Sequence, residues 1–193
     1  MMEAYEPRGF YACLALAARR EEETRTTIEQ ARNHLFLRCS YGRLDELLCL
    51  FREMSYADWL AVCGEVWSCC DNIGAARLLL RQLVPACGPV APMMDTPECM
   101  AWEALPERLT IYRGCGPSNM LGASWSLSRD IAAQFPFLNR YRKSEPLLVT
   151  AKVKKIHVLA IKLDREESEI ITFSARRVAV EKLQETRQLA EVA

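Results

Sequence analysis

The chain has 193 residues, half of them hydrophobic, and its 25 Lys+Arg are balanced by 25 Asp+Glu. That is enough apolar material for one domain or two small ones with a true core, and zero formal net charge leaves no overall basic footprint of the kind that nucleic-acid binding needs. The nine cysteines form no Cys-x-x-Cys pair, so neither a disulfide framework nor a zinc site is indicated.

Cysteines in apolar runs (Cys49, Cys63, Cys99) are expected to be small buried hydrophobes, and a reducing cytoplasm suits them. The apolar run Phe10–Ala18 is short, is preceded by two acids and one Arg, and runs straight into Arg19-Arg20-Glu21-Glu22-Glu23, so it does not read as a secretory signal. No stretch approaches bilayer length.

Glu21 to Leu50 is rich in Glu, Arg, Leu and Ala, without proline. Leu35, Leu44, Leu47, Leu48 and Phe51 recur at near-helical spacing, so this segment is expected to be helical. Ser55-Tyr56-Ala57-Asp58 opens a further helix in the manner of a capping box, with Trp59, Val62, Val66 and Trp67 on its inner face. A third covers Ile73–Val84 and ends at the Pro/Gly stretch from Pro85 to Pro92. Thr96-Pro97-Glu98 begins a short helix with Thr96 as N-cap.

After Pro106 the texture changes. Strands are expected at Leu109–Arg113, Ala123–Leu127, Leu147–Val153, Val158–Leu163 and Ile170–Phe173, with Val178–Leu183 as a last strand or the start of a tail helix. A short helix fits Arg129–Phe135. Helices first and strands second predict an α+β fold, divided into a helical region over 1–105, suited to docking a substrate or partner, and a strand-rich core over 106–193.

Three short segments carry chemistry. Tyr112-Arg113-Gly114 ends a strand, where an arginine grips a phosphate with two donors while a glycine lets backbone come close. Ser124-Trp125-Ser126 lies on the next strand, where a serine can fix a carboxylate. Glu167 and Glu169 stand two apart before Ile170-Ile171, which in extended chain puts both carboxylates on one side. Two carboxylates beside a phosphate-gripping arginine suit cleavage of a glycosidic bond through an oxocarbenium-like state.

In order and in hydrophobic context these segments resemble the Arg-Ser-Glu class of mono-ADP-ribosyltransferases, the cholera-toxin-like family, whose bacterial and phage-encoded members include effectors. The family usually has Thr between the two serines; here it is Trp125, which implies an altered pocket wall. The resemblance implies a split β-sandwich core of two small sheets. It also implies NAD+ as substrate, no metal, release of nicotinamide, and transfer of ADP-ribose to a side chain of a target protein.

It further implies roles for individual residues. Arg113 would hold a phosphate and the adjacent ribose, Gly114 would meet the nicotinamide amide, and Ser124 would position Glu169. Glu169 would bind the ribose 2′-hydroxyl and stabilise the oxocarbenium ion, and Glu167 would take the acceptor's proton. Glutamate at that place goes with arginine acceptors in the family. Tyr112, Trp125, Ser126 and Phe135 complete the NAD+-binding set, with Phe135, Phe137 or Tyr141 covering the nicotinamide ring and residues 136–146 as a loop over it.

Other readings stand beside this one. Glu167 could be the essential glutamate if the turn shifts, although Ile170-Ile171 directly after Glu169 favours the latter. Each segment alone has an ordinary explanation: a surface ion pair, polar strand positions, a solvated charge run. Alternatives for the whole are an NAD+ glycohydrolase, with water as acceptor, and a catalytically silent binding module. Neutral charge argues against a nucleic-acid acceptor, and nothing points to a membrane.

Overall fold

In the computed structural model, the described residues are 25–184 without 72, 75, 139, 140 and 166, and the side chains of 165 and 167 also lie outside the description. The apolar run Phe10–Ala18, Glu21 to Thr24 and Ala75 from the expected helices, Glu166 from the charge run and the side chain of Glu167 therefore fall outside it. The chain is α+β, with helices preceding an antiparallel six-stranded sheet. It divides into two compact units at Val84/Pro85.

In the first unit the expected helix up to Leu50 is two helices, α1 (Ile28–Phe36) and α2 (Arg43–Leu50). Between them the Arg43 guanidinium donates to the carbonyls of Leu35 and Arg38, acceptors that a continuing helix would have used, and to that of Cys69. Helix α3 (Tyr56–Val66) is capped by Ser55, whose Oγ accepts from the Asp58 N–H at 3.1 Å. Trp59, Val62 and Trp67 are buried as expected, and Val66 is only partly so. The Trp59 indole N–H donates to the Leu47 carbonyl at 2.7 Å, which ties α3 to α2. Phe51 meets the Trp59 ring edge-on at 5.0 Å.

Helix α4 is shorter than expected, Arg77–Leu83. It buries Leu80 and leaves Leu78 and Leu79 exposed, since one short helix turns only part of its circumference inward. Cys63 is buried as expected, but Cys49 is exposed and Cys99 partly exposed. Removing the cap with Ser55→Ala is expected to destabilise the first unit by about 1 kcal/mol, read from its urea midpoint; an unchanged midpoint would show that the cap does not hold α3.

The second unit starts earlier than residue 106, because helix α5 (Thr96–Glu103) packs on strand β4 (Ala160–Arg165). Its N-cap is Asp95, one residue before the expected Thr96. Asp95 accepts from the Glu98 N–H, and Glu98 accepts from the Asp95 N–H, forming a full capping box. The remaining strands are β1 (Arg108–Cys115), β2 (Ser124–Ser126), β3 (Leu147–Lys154), β5 (Glu167–Ile171) and β6 (Arg176–Lys182), with α6 (Arg129–Gln134) after β2. The last segment is thus a strand, and β5 begins at Glu167 itself.

The strand order is β4-β5-β2-β1-β3-β6. Where two small sheets were expected, the strands form one sheet, narrowed at β2. Strands β1 and β3 pair over eight residues, Arg108 to Cys115 against Lys154 to Leu147. Strands β1 and β2 share one register pair, Tyr112 with Ser126. One face of the sheet carries the core, formed by Leu109, Ile111, Trp125, Val149, Ala151, Ile161 and Ile170 together with Trp102 of α5. The Trp102 indole N–H donates to the Val158 carbonyl at 3.0 Å.

Candidate functional site

The sheet brings the three sequence segments together at its narrow centre. Strand β2 lies between β1 and β5, so Tyr112-Arg113-Gly114, Ser124-Trp125-Ser126 and Glu167–Ile171 occupy three adjacent strands. One transverse row runs Lys162, Glu169, Ser126, Tyr112, Thr150. Residues opposite one another in antiparallel strands share a face, so Glu169, Ser126 and Tyr112 stand on one face of the sheet.

Alternation along each strand then sorts the rest. Ser124, expected to position Glu169, is registered with Ile171 and is a diagonal neighbour of Glu169; the serine directly beside Glu169 is Ser126. The Ser126 side chain is buried and its Oγ accepts from the Ser128 N–H at 3.0 Å. Ser128 in turn caps α6 by accepting from the Ile131 N–H. Trp125 points the other way. It is 2% exposed, belongs to the core, and donates its indole N–H to the Gly122 carbonyl at 3.0 Å, so it is not a pocket wall. The hydrophobic alternation Ser-Trp-Ser already carried that signal.

Arg113 follows Tyr112 in β1 and leaves the strand on the core side. Extending the β1–β2 register would set Gly114 opposite Ser124, but pairing stops at Tyr112–Ser126. The Arg113 head fills the resulting gap: Nη1 donates to the Ser124 carbonyl at 2.5 Å and Nε to the Asn119 carbonyl at 3.1 Å. A Cβ built at Gly122 would overlap this guanidinium, so Gly122 is the floor on which it lies. The arginine therefore ties the 116–123 loop to β2 from within the gap.

Gly114 has a packing reason of its own. A Cβ there would overlap the Ala132 carbonyl oxygen of α6 and come within 2.6 Å of Pro136 Cδ. Its missing side chain is thus used by the α6 contact, where an approach to nicotinamide had been expected. Cys115 is buried, and burial pushes its thiol up, which suits a core residue better than a nucleophile.

After α6, Phe135 and Tyr141 face each other with ring centroids 5.8 Å apart and planes tilted by 50°. The segment expected as a loop over the cofactor is folded back on its own turn, with the Lys143 N–H donating to the Pro136 carbonyl at 2.9 Å and the Tyr141 N–H to the Leu138 carbonyl at 2.8 Å. The Glu167 backbone pairs with Arg165. Among the described residues no cluster of His, Cys, Asp and Glu could hold a metal ion, and no helix is long and apolar enough to cross a membrane.

Two further residues, unremarkable in sequence, join this row. Lys162 is the cross-strand partner of Glu169, and its ammonium meets the Glu98 carboxylate at 2.7 Å. They are 64 positions apart, and only the folded sheet relates them. Replacing Arg113 with Lys removes the fork that reaches both carbonyls. Arg113→Lys is expected to lower the stability of the second unit by roughly 1–2 kcal/mol and to loosen residues 116–123 in hydrogen exchange; unchanged exchange there would rule out the anchoring role. Comparisons with known protein families, with curated proteins and with solved structures find no match.

Proposed function

We propose that the chain is an NAD+-dependent mono-ADP-ribosyltransferase that modifies a side chain of a target protein, arginine first among the acceptors. The observation that carries this reading is the adjacency of β1, β2 and β5, which sets Glu169, Ser126 and Tyr112 in one row on one face of the sheet, with Arg113 next in β1 and its guanidinium in the gap between β1 and β2. An ADP-ribosyltransferase-like fold is part of the same proposal, supported by the sheet's narrowing at β2.

The chemistry follows from the charges. NAD+ bears a nicotinamidium leaving group on C1′ of a ribose. As the C1′–N bond breaks, its electron pair leaves with neutral nicotinamide and C1′ becomes oxocarbenium-like. A carboxylate at Glu169 stabilises that charge and accepts a hydrogen bond from the ribose 2′-hydroxyl. A guanidine nitrogen of the acceptor then forms the new C1′–N bond and loses a proton to Glu167. Arg113 supplies positive charge for the diphosphate. Target recognition falls to the first unit, where Phe36, Leu37 and Tyr41 are exposed at 86%, 85% and 61%.

A second reading has its own observation. Arg113 donates to two backbone carbonyls, as a structural arginine would, and this favours a silent binding module on the same fold. Intact-mass spectrometry of lysate proteins and of free arginine incubated with NAD+ separates the two. Transfer gives an ADP-ribose adduct together with nicotinamide, a glycohydrolase gives nicotinamide without an adduct, and a binding module gives neither.

A further inference from the structure

Glu98 and Lys162 are 1% and 6% exposed. The Lys162 ammonium lies 2.7 Å from Glu98 Oε2 and 3.3 Å from the Met93 carbonyl. Glu98 also accepts from the Leu163 N–H at 3.1 Å and from the Asp95 N–H at 3.0 Å. Glu98 thereby completes the α5 cap and covers the outer edge of β4.

Those two backbone contacts explain the glutamate but not the lysine. A buried ion pair is costly to desolvate, and replacing both partners together by neutral groups of similar volume would hold α5 on β4 at least as well. What distinguishes this position is its neighbour. Lys162 is directly opposite Glu169 in the β4–β5 register, and opposed side chains stand on one face with their Cβ atoms about 5 Å apart.

We propose that Lys162, clamped by Glu98, is a positioning residue for Glu169, setting a fixed positive charge on the β4 side of that carboxylate while Ser126 flanks it on the β2 side. The inference rests on the reading of Glu169 as the carboxylate that faces the reacting ribose. The clamp matters as much as the charge. A lysine without Glu98 would be free to close on Glu169 and occupy the oxygens that the ribose hydroxyl needs. Held at 2.7 Å by Glu98, it acts across the row without taking the carboxylate.

The test compares three variants of the full chain. Lys162→Arg keeps the charge. Glu98→Lys with Lys162→Glu restores a buried pair in reverse and sets a carboxylate beside Glu169. Glu98→Gln with Lys162→Met removes both charges and keeps an acceptor for the β4 edge. Thermal melts establish which variants are folded. Two readouts follow: nicotinamide release from NAD+ with free arginine present, and the side-chain carboxyl 13C resonance of Glu169, identified by its loss in Glu169→Gln.

The expected result is near wild-type behaviour for Lys162→Arg. In the reversed pair and the neutral pair, the Glu169 resonance should be displaced and kcat should fall about tenfold or more, with a smaller change in KM. A purely structural pair predicts full activity in the folded reversed and neutral pairs, and that result overturns the proposal. If the reversed pair does not fold, an unmoved resonance in the folded neutral pair overturns it equally. A displaced resonance in a protein that releases no nicotinamide even as wild type leaves the positioning role standing and removes the ADP-ribosyltransferase reading.

Discussion

Glu169→Gln is expected to reduce nicotinamide release and ADP-ribose transfer by about 10²–10³-fold while the thermal melt stays within about a degree of wild type. The size follows from what the carboxylate does in the proposed step. It faces a full positive charge that exists only as the C1′–N bond breaks, and an amide of the same shape offers a dipole where a charge is needed. Ground-state binding changes less, so kcat should carry most of the loss. The residue is partly exposed and lies outside the hydrophobic core, so the fold should tolerate the change. Equal rates for wild type and Glu169→Gln would assign any measured activity to another carboxylate, with Glu167 next to be tested in the same assay. Full loss of folding would contradict the placement of Glu169 at the edge of the packed region.

Gly114→Ala is expected to be among the most damaging single substitutions in the second unit, at about 3 kcal/mol or more. The added carbon must occupy the place of the Ala132 carbonyl oxygen, which is backbone of α6 and cannot rotate away as a side-chain tip would. Helix α6 is held from its other end by the Ser128 cap, so moving it also disturbs the Ser126–Ser128 hydrogen bond beside Glu169. A loss of activity should therefore accompany the loss of stability. The melting temperature should fall by roughly 10 °C or more. A drop of less than a couple of degrees would mean that α6 can shift away from β1 at little cost, and that Gly114 is present for some other reason.

Much of this was legible in the residues, and the exceptions have identifiable causes. The Ser55 cap was visible because its partner is three residues away. The Asp95 cap is equally present in the sequence, since Glu98 follows it by three, and Thr96 competes with it as a cap only because Pro97 comes next. The strands were located within a few residues because β-branched runs sit between turn signals. The break between α1 and α2 was not legible, since no proline marks it and one of the carbonyls that Arg43 engages belongs to Cys69, 26 positions on. The row of Tyr112, Ser126 and Glu169 depended on strand order, which no local pattern specifies. The same holds for Lys162, an ordinary strand lysine until β4 is laid against both α5 and β5. At Gly114, composition suggested backbone approach to a ligand, whereas the fold uses the space for its own helix.

The single register pair between β1 and β2 also has a dynamic consequence. A sheet transmits cooperativity through its ladder, and here the ladder between β1 and β2 is nearly cut, with a guanidinium bridging the cut. Amide protons bonded within the β1–β3 ladder should exchange only with the opening of that whole arm, whereas amides that face the break between β1 and β2 should exchange through a smaller and more frequent opening. The two arms can then flex about β2 without either losing its own hydrogen bonds. The boundary between two cooperative units thus passes along the gap that the Arg113 guanidinium bridges to Ser124, so a molecule bound across that gap would join the two arms.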